Sequence, residues 1–146
     1  MANPENYVDR DFGALVFDSK ADWYEGSRDW EGQRVAFHVH AESSADLERG
    51  LEIGRKVWSD QRGWSERVRE FAVANLLELQ NETWSEDEAD KVTADEFRGR
   101  MKLKSIGVYE DGAIVFWHED GDMFGGHSIT VTCDLTQGPR DADIEG

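Results

Sequence analysis

Between Gly112 and Cys133 the chain reads GAIVFWHEDGDMFGGHSITVTC, two strand-forming runs joined by an acidic, glycine-rich loop that ends at a histidine. After the loop, His127, Ile129, Val131 and Cys133 share one parity while Ser128, Thr130 and Thr132 share the other. That period of two is the pattern of a half-buried strand and places His127 on the core side. Asp111-Gly112 suits the left-handed conformations of a tight turn and follows the apolar run Ile106–Tyr109, so residues 104–118 are expected to form a hairpin. A core-facing imidazole needs a hydrogen-bond partner, and Asp120 and Asp122 are the nearest candidates.

Upstream, Phe12–Phe17 reads as a strand that is apolar on both parities, the mark of a strand covered on both faces. Trp23–Trp30 is a second strand. Glu31-Gly32 turns the chain into a third, Arg34–His40, with Val35, Phe37 and Val39 inward and Arg34, Ala36, His38 and His40 outward. Ser43 followed by Asp46 starts a helix whose Leu47, Leu51, Gly54 and Trp58 share a face. Gly50 and Gly54 weaken it by about 1 kcal/mol each unless close packing requires them. A second helix is expected from Ser65 to Gln80, with Val68, Phe71, Ala72, Leu76 and Leu79 as its stripe and Asn75 as a polar intrusion. Thr93 and Glu96 form a capping box, flanked by Val92 and Phe97 as a hydrophobic staple, and set a short helix from residue 94 to about 101.

These elements predict one α+β domain over residues 1–146: an antiparallel sheet built from an N-terminal three-stranded meander and a C-terminal three-stranded unit, with two main helices and one short helix packed on it. Residues 1–10 are expected to be loose and 137–146 to be an acidic tail. At 146 residues the chain can bury a real core without staples. No apolar run approaches the roughly 20 residues that span a bilayer, and the N-terminus lacks a secretory pattern, which predicts a cytoplasmic protein. Cys133 is the one cysteine, so an internal disulfide and a cysteine metal cluster are both excluded.

The net charge of −16 is unevenly spread: −5 over residues 1–43, −1 over 44–79, −6 over 80–96, +4 over 97–109 and −8 over 110–146. Such a field attracts basic partners or cations and opposes nucleic acid and anionic membranes. The run also contains an acidic loop with one imidazole, and Glu119, Asp120, Asp122 and His127 are candidate ligands for a hard or borderline divalent ion. It is not an EF-hand: with Asp120 as the first position, Phe124 falls on the third ligand and Val131 on the twelfth, where a glutamate is needed. The competing reading has Asp120 or Asp122 capping the loop backbone with no ion present. His38 and His40 could both reach one zinc ion, but two ligands are too few and no third is placed. No nucleophile elbow, phosphate-binding glycine loop or HExxH occurs.

FGALVFD at Phe12–Asp18, WYEG at Trp23–Gly26, WHEDGDMFGGHSITV at Trp117–Val131 and the closing DADIEG together resemble an uncharacterised bacterial family, domain of unknown function 2262. The resemblance runs from Phe12 to Gly146 and implies a bacterial, intracellular, single-domain protein; it brings no catalytic residues. Small acidic domains of a similar kind occur among toxin-neutralising immunity proteins. The sequence thus points to a non-enzymatic acidic module that engages a basic protein partner through Trp117, Glu119, Asp120 and Asp122, without a cofactor. The alternative is a metal-binding protein or metal-dependent hydrolase built on Asp120, Asp122 and His127.

Overall fold

The structure, a computed structural model, describes residues 6–146. Eight strands form one sheet in chain order: β1 (Tyr7–Asp9), β2 (Gly13–Asp18), β3 (Trp23–Trp30), β4 (Gln33–Val39), β5 (Lys102–Val108), β6 (Ile114–Glu119), β7 (Ser128–Asp134) and β8 (Gly138–Glu145). Every neighbouring pair is antiparallel except β4 and β5, which are parallel. The expected antiparallel sheet of three plus three strands is therefore corrected to a mixed sheet of two four-stranded meanders. The parallel joint has a simple cause. All the helices, α1 (Ser44–Trp58), α2 (Gln61–Thr83) and α3 (Ala94–Arg100), lie between β4 and β5, and a crossover of that length carries the chain back to enter β5 in the direction of β4.

Two further expectations change at the chain ends. Residues 1–5 of the segment expected to be loose lie outside the described residues, whereas Tyr7–Asp9 pairs with β2. The acidic end is a strand rather than a tail, because β8 completes seven pairings with β7. Asp9 also ties the N-terminal strand to α1: its carboxylate takes the N–H groups of Asp11 and Phe12 and pairs with Arg55 at 2.9 Å. Burial alone would raise the pKa of this carboxyl, but those donors hold it below the usual range.

One face of the sheet carries the core. Val35, Phe37 and Val39 of β4, Ile106 and Val108 of β5, Ile114 and Phe116 of β6, and Ile129 and Val131 of β7 are all buried, in register across the strands. Burying each such side chain contributes about 1.5–3 kcal/mol. Helix α1 packs against β4 and β5, and α2 against β7 and β8. Gly50 and Gly54 are the points of closest approach, Gly50 against Val39 and Gly54 against Phe37, so their helix-weakening cost is the condition for seating α1 on the sheet.

The helix caps follow the sequence. Ser43 accepts from the Asp46 N–H, and the Thr93–Glu96 capping box is complete. Helix α2 begins four residues before the expected Ser65, capped by Asp60. Ser65 is used otherwise: its hydroxyl accepts from the Trp30 indole at 2.9 Å and donates to Glu31 at 2.6 Å. Asn75 is no intrusion into the core, since it is exposed and donates back to the Phe71 carbonyl. Strand β2 is not covered on both faces. Leu15 is buried but Val16 is 52% exposed, because no helix lies over that side of the sheet.

Candidate functional site

The loop between β6 and β7 is organised by Asp120. Its side chain is 3% exposed, with Oδ1 accepting from the Asp122 N–H at 2.9 Å and Oδ2 accepting from Phe124 at 2.9 Å and Gly126 at 3.0 Å. Three backbone donors on one carboxylate fold the loop into a tight coil, with positive φ at Gly121, Asp122, Gly125 and Gly126. Met123 and Phe124 are buried and anchor the loop, Phe124 edge-on to Phe97 and Trp84. Gln80 donates to the Met123 carbonyl and Arg100 to that of Gly121, so α2 and α3 both hold the loop from behind.

This changes the reading of all three loop candidates. Asp120 is not an accessible carboxylate; it is the internal cap of the loop. His127 is half-buried just ahead of β7, and its Nδ1 lies 2.5 Å from the Phe124 carbonyl rather than on Asp120 or Asp122. A carbonyl only accepts, so Nδ1 carries the proton. Asp122 is exposed, at φ 64°. Among the described residues no group of three or more His, Cys, Asp or Glu side chains is arranged to hold a metal ion.

The other two candidates, Trp117 and Glu119, belong to a different surface. They stand on the face of β6 that no helix covers, and the register sets their neighbours: Trp117 lies beside Thr130, Thr130 beside Asp143, Glu119 beside Ser128, Ser128 beside Glu145, and Thr132 beside Asp141. The three β8 acids are exposed and alternate with Ala142 and Ile144, which turn to the core side. Glu119 lies 3.8 Å from Lys104, and both side chains are more than half exposed, so that pair contributes little.

On the same face His38 and His40 depart from the outward, solvent-facing placement expected of them. Both do point away from the helices, yet His38 is only 4% exposed. It is stacked on Trp23 with ring centroids 4.0 Å apart and flanked by Trp117 at 5.5 Å, over Gly107, whose missing side chain makes the room. His40 stacks on Tyr109 at 4.1 Å and meets the edge of Trp23. His38 Nδ1 and His40 Nε2 are buried without a hydrogen-bond partner among the described residues. Burial pushes the His38 pKa down to about 4, with nearby His40 adding to the effect, and burial lowers His40 as well. Both rings are thus neutral, apolar-packed members of an aromatic strip.

The sequence singles out Trp117 but does not group it with Trp23 and His38, nor His40 with Tyr109. Alternation assigns a strand residue to a face of its own strand, but only the pairing of β3 with β4, of β4 with β5 and of β5 with β6 brings them together. Cys133 is buried as its parity predicted, and burial pushes its thiol up to about 12, leaving it unreactive.

No helix among the described residues is long and apolar enough to cross a membrane. Comparison with curated proteins and with solved structures gives no match. A family of uncharacterised proteins conserved in bacteria matches residues 9–144, which takes in the sheet from β2 to β7, all three helices and the Asp120 loop. The chain belongs to that family, DUF2262.

Proposed function

We propose that this protein is a non-enzymatic binding module that engages a basic protein partner, in the manner of an immunity protein or inhibitor. The reading rests on one observation: the face of the sheet opposite the helices carries an aromatic strip, Trp23, His38 and Trp117, with the exposed carboxylates of β8 and Glu119 arrayed beside it. Aromatic anchors inside a charged rim are the usual anatomy of a protein-binding surface. The acidic rim selects a basic partner and speeds the encounter. Asp122 lies at the same end of the sheet as Glu119 and Glu145 and extends the rim; Asp120 is removed from it by its role in the loop.

Affinity capture from a bacterial lysate with the wild-type protein and with an Asp141→Lys, Asp143→Lys, Glu145→Lys variant tests the reading. Basic proteins are expected on the wild type at low salt, lost as salt rises, and lost from the variant. An identical catch on both proteins would retire the reading. The divalent-ion alternative built on Asp120, Asp122 and His127 is disfavoured by the geometry, since both Asp120 oxygens are engaged by backbone donors and no three acidic or imidazole side chains among the described residues are arranged to hold an ion. A thermal-shift screen against calcium, magnesium, manganese and zinc tests it separately, because an ion held only by the folded state raises Tm.

A further inference from the structure

Among the described residues the sheet has two edges, and they differ. β1 offers three residues, Tyr7–Asp9, whereas β8 offers eight, Gly138–Glu145, and no described residue pairs with its outer side. A long edge presents a row of unpaired N–H and C=O groups, and sheets usually blunt it with proline, lysine or a bulge. β8 is blunted at its start, where Pro139 lies beside a register shift between Thr132 and Cys133. From Asp141 to Glu145 the strand is regular, each residue facing one residue of β7 in turn.

Two hydrogen bonds fix which backbone groups of this stretch face out. The Ile144 N–H donates to the neighbouring Asp143 carboxylate at 2.9 Å, and the Asp143 carbonyl lies on the β7 side, 3.5 Å from the Thr130 hydroxyl that donates to it. Successive residues of an antiparallel strand turn their backbone groups to opposite sides, so Asp141, Asp143 and Glu145 pair with β7 while Ala142 and Ile144 turn theirs to the open edge. The side chains alternate as well. The three carboxylates are exposed on the uncovered face and make no ion pair with a described residue; Arg140, next to them, is paired with Asp134. Ala142 and Ile144 face the helix side and are only half-buried there. A second copy of the chain is a poor occupant of this edge. Two β8 strands pairing antiparallel about Asp143 set Asp141 beside Glu145, and like charges directly opposite each other are destabilising.

We propose that the basic partner docks by adding an antiparallel strand to β8, with lysine or arginine opposite Asp141, Asp143 and Glu145 and an apolar residue opposite Ala142 and Ile144. This rests on the acidic-face reading above and names the way that face is engaged. Backbone hydrogen bonds to Ala142 and Ile144 supply affinity, and the alternation of charge with apolar contact supplies specificity. A cation opposite Asp143 also draws its carboxylate off the Ile144 N–H and frees that donor for the incoming strand.

The test is an NMR titration of the isotopically labelled full chain with acetylated, amidated peptides of three lysines and two valines between terminal glycines. One peptide alternates lysine with valine, a second has the same order with both valines N-methylated, and a third has its lysines contiguous. The alternating peptide is expected to shift the Ala142 and Ile144 amides in a saturable way and to slow their hydrogen exchange. N-methylation removes the donors aimed at the Ala142 and Ile144 carbonyls and is expected to weaken binding about tenfold. Asp141→Asn combined with Glu145→Gln, both at exposed positions, is expected to weaken it about fivefold. The proposal is overturned by no saturable shift at those amides, by equal affinity for the N-methylated or the contiguous peptide, or by exchange at residues 142 and 144 that slows with protein concentration alone, the mark of a second copy. Contiguous lysines binding as tightly, yet lost from the Asp141→Lys, Asp143→Lys, Glu145→Lys variant, would sink strand addition and leave the acidic face standing. Peptides that bind that variant undiminished would retire both.

Discussion

Gly54 of α1 lies directly beneath Phe37 of β4: a Cβ at position 54 would stand 2.6 Å from the tip of that ring, well inside contact distance. The neighbouring atoms are a buried aromatic with 0% exposure, so nothing can yield cheaply. Gly54→Ala is expected to destabilise by about 1–3 kcal/mol despite its better helix propensity. Gly99 of α3 is the contrast, with open space where its Cβ would go. Gly99→Ala should be neutral or stabilising by up to about 1 kcal/mol. Urea unfolding of both variants checks the pair; equal effects would mean α1 is not seated as described.

Asp120 and Asp122 were equivalent in sequence and are opposite in structure. Asp120→Ala strands three backbone N–H groups, one of them on fully buried Phe124, and should cost about 2–4 kcal/mol. Asp122→Asn changes an exposed side chain at a positive φ that asparagine tolerates, and should stay within about 0.5 kcal/mol. Denaturant midpoints measure both. A mild Asp120→Ala would mean that the carboxylate does not organise the loop.

His38 should make the protein acid-sensitive. Its folded-state pKa of about 4 lies below the ordinary 6.5, so the unfolded chain takes up the proton first. Stability from this residue is complete above pH about 6.5 and declines as pH falls toward about 4, by up to about 1.4 kcal/mol per pH unit. His118, held to about 4 by burial, acts in the same direction. His38→Phe keeps an aromatic ring against Trp23 and removes the titration. Its unfolding free energy should change less between pH about 7 and pH about 5 than the wild type's, and equal pH slopes would show that the ring is not buried neutral.

The capping box offers a local test. Thr93→Ala removes the hydroxyl that accepts from the Glu96 N–H and leaves the Glu96 carboxylate only its bond to the backbone N–H of residue 93. A loss of about 1 kcal/mol is expected. Because α3 carries Phe97 into the core beside Phe124, hydrogen exchange should also quicken in the Asp120 loop; exchange confined to α3 would mean that the two do not share stability.

The sequence by itself determined what neighbours along the chain can settle. The strand at Trp23–Trp30, the hairpin after Ile106, the α1 start at Ser43, the capping box and the buried Cys133 were all legible, because alternation and capping involve residues a few positions apart. The tertiary structure alone decided that β4 and β5 run parallel, that the acidic end is the strand β8, and that Asp120 turns inward while Trp117 and Glu119 share a face with the β8 acids. It also decided that His38 is enclosed by Trp23 and Trp117. The physical reason is the same in each case: periodicity fixes the face a residue occupies on its own element, whereas its companions there depend on strand order and register, which are set by contacts between segments far apart in the chain.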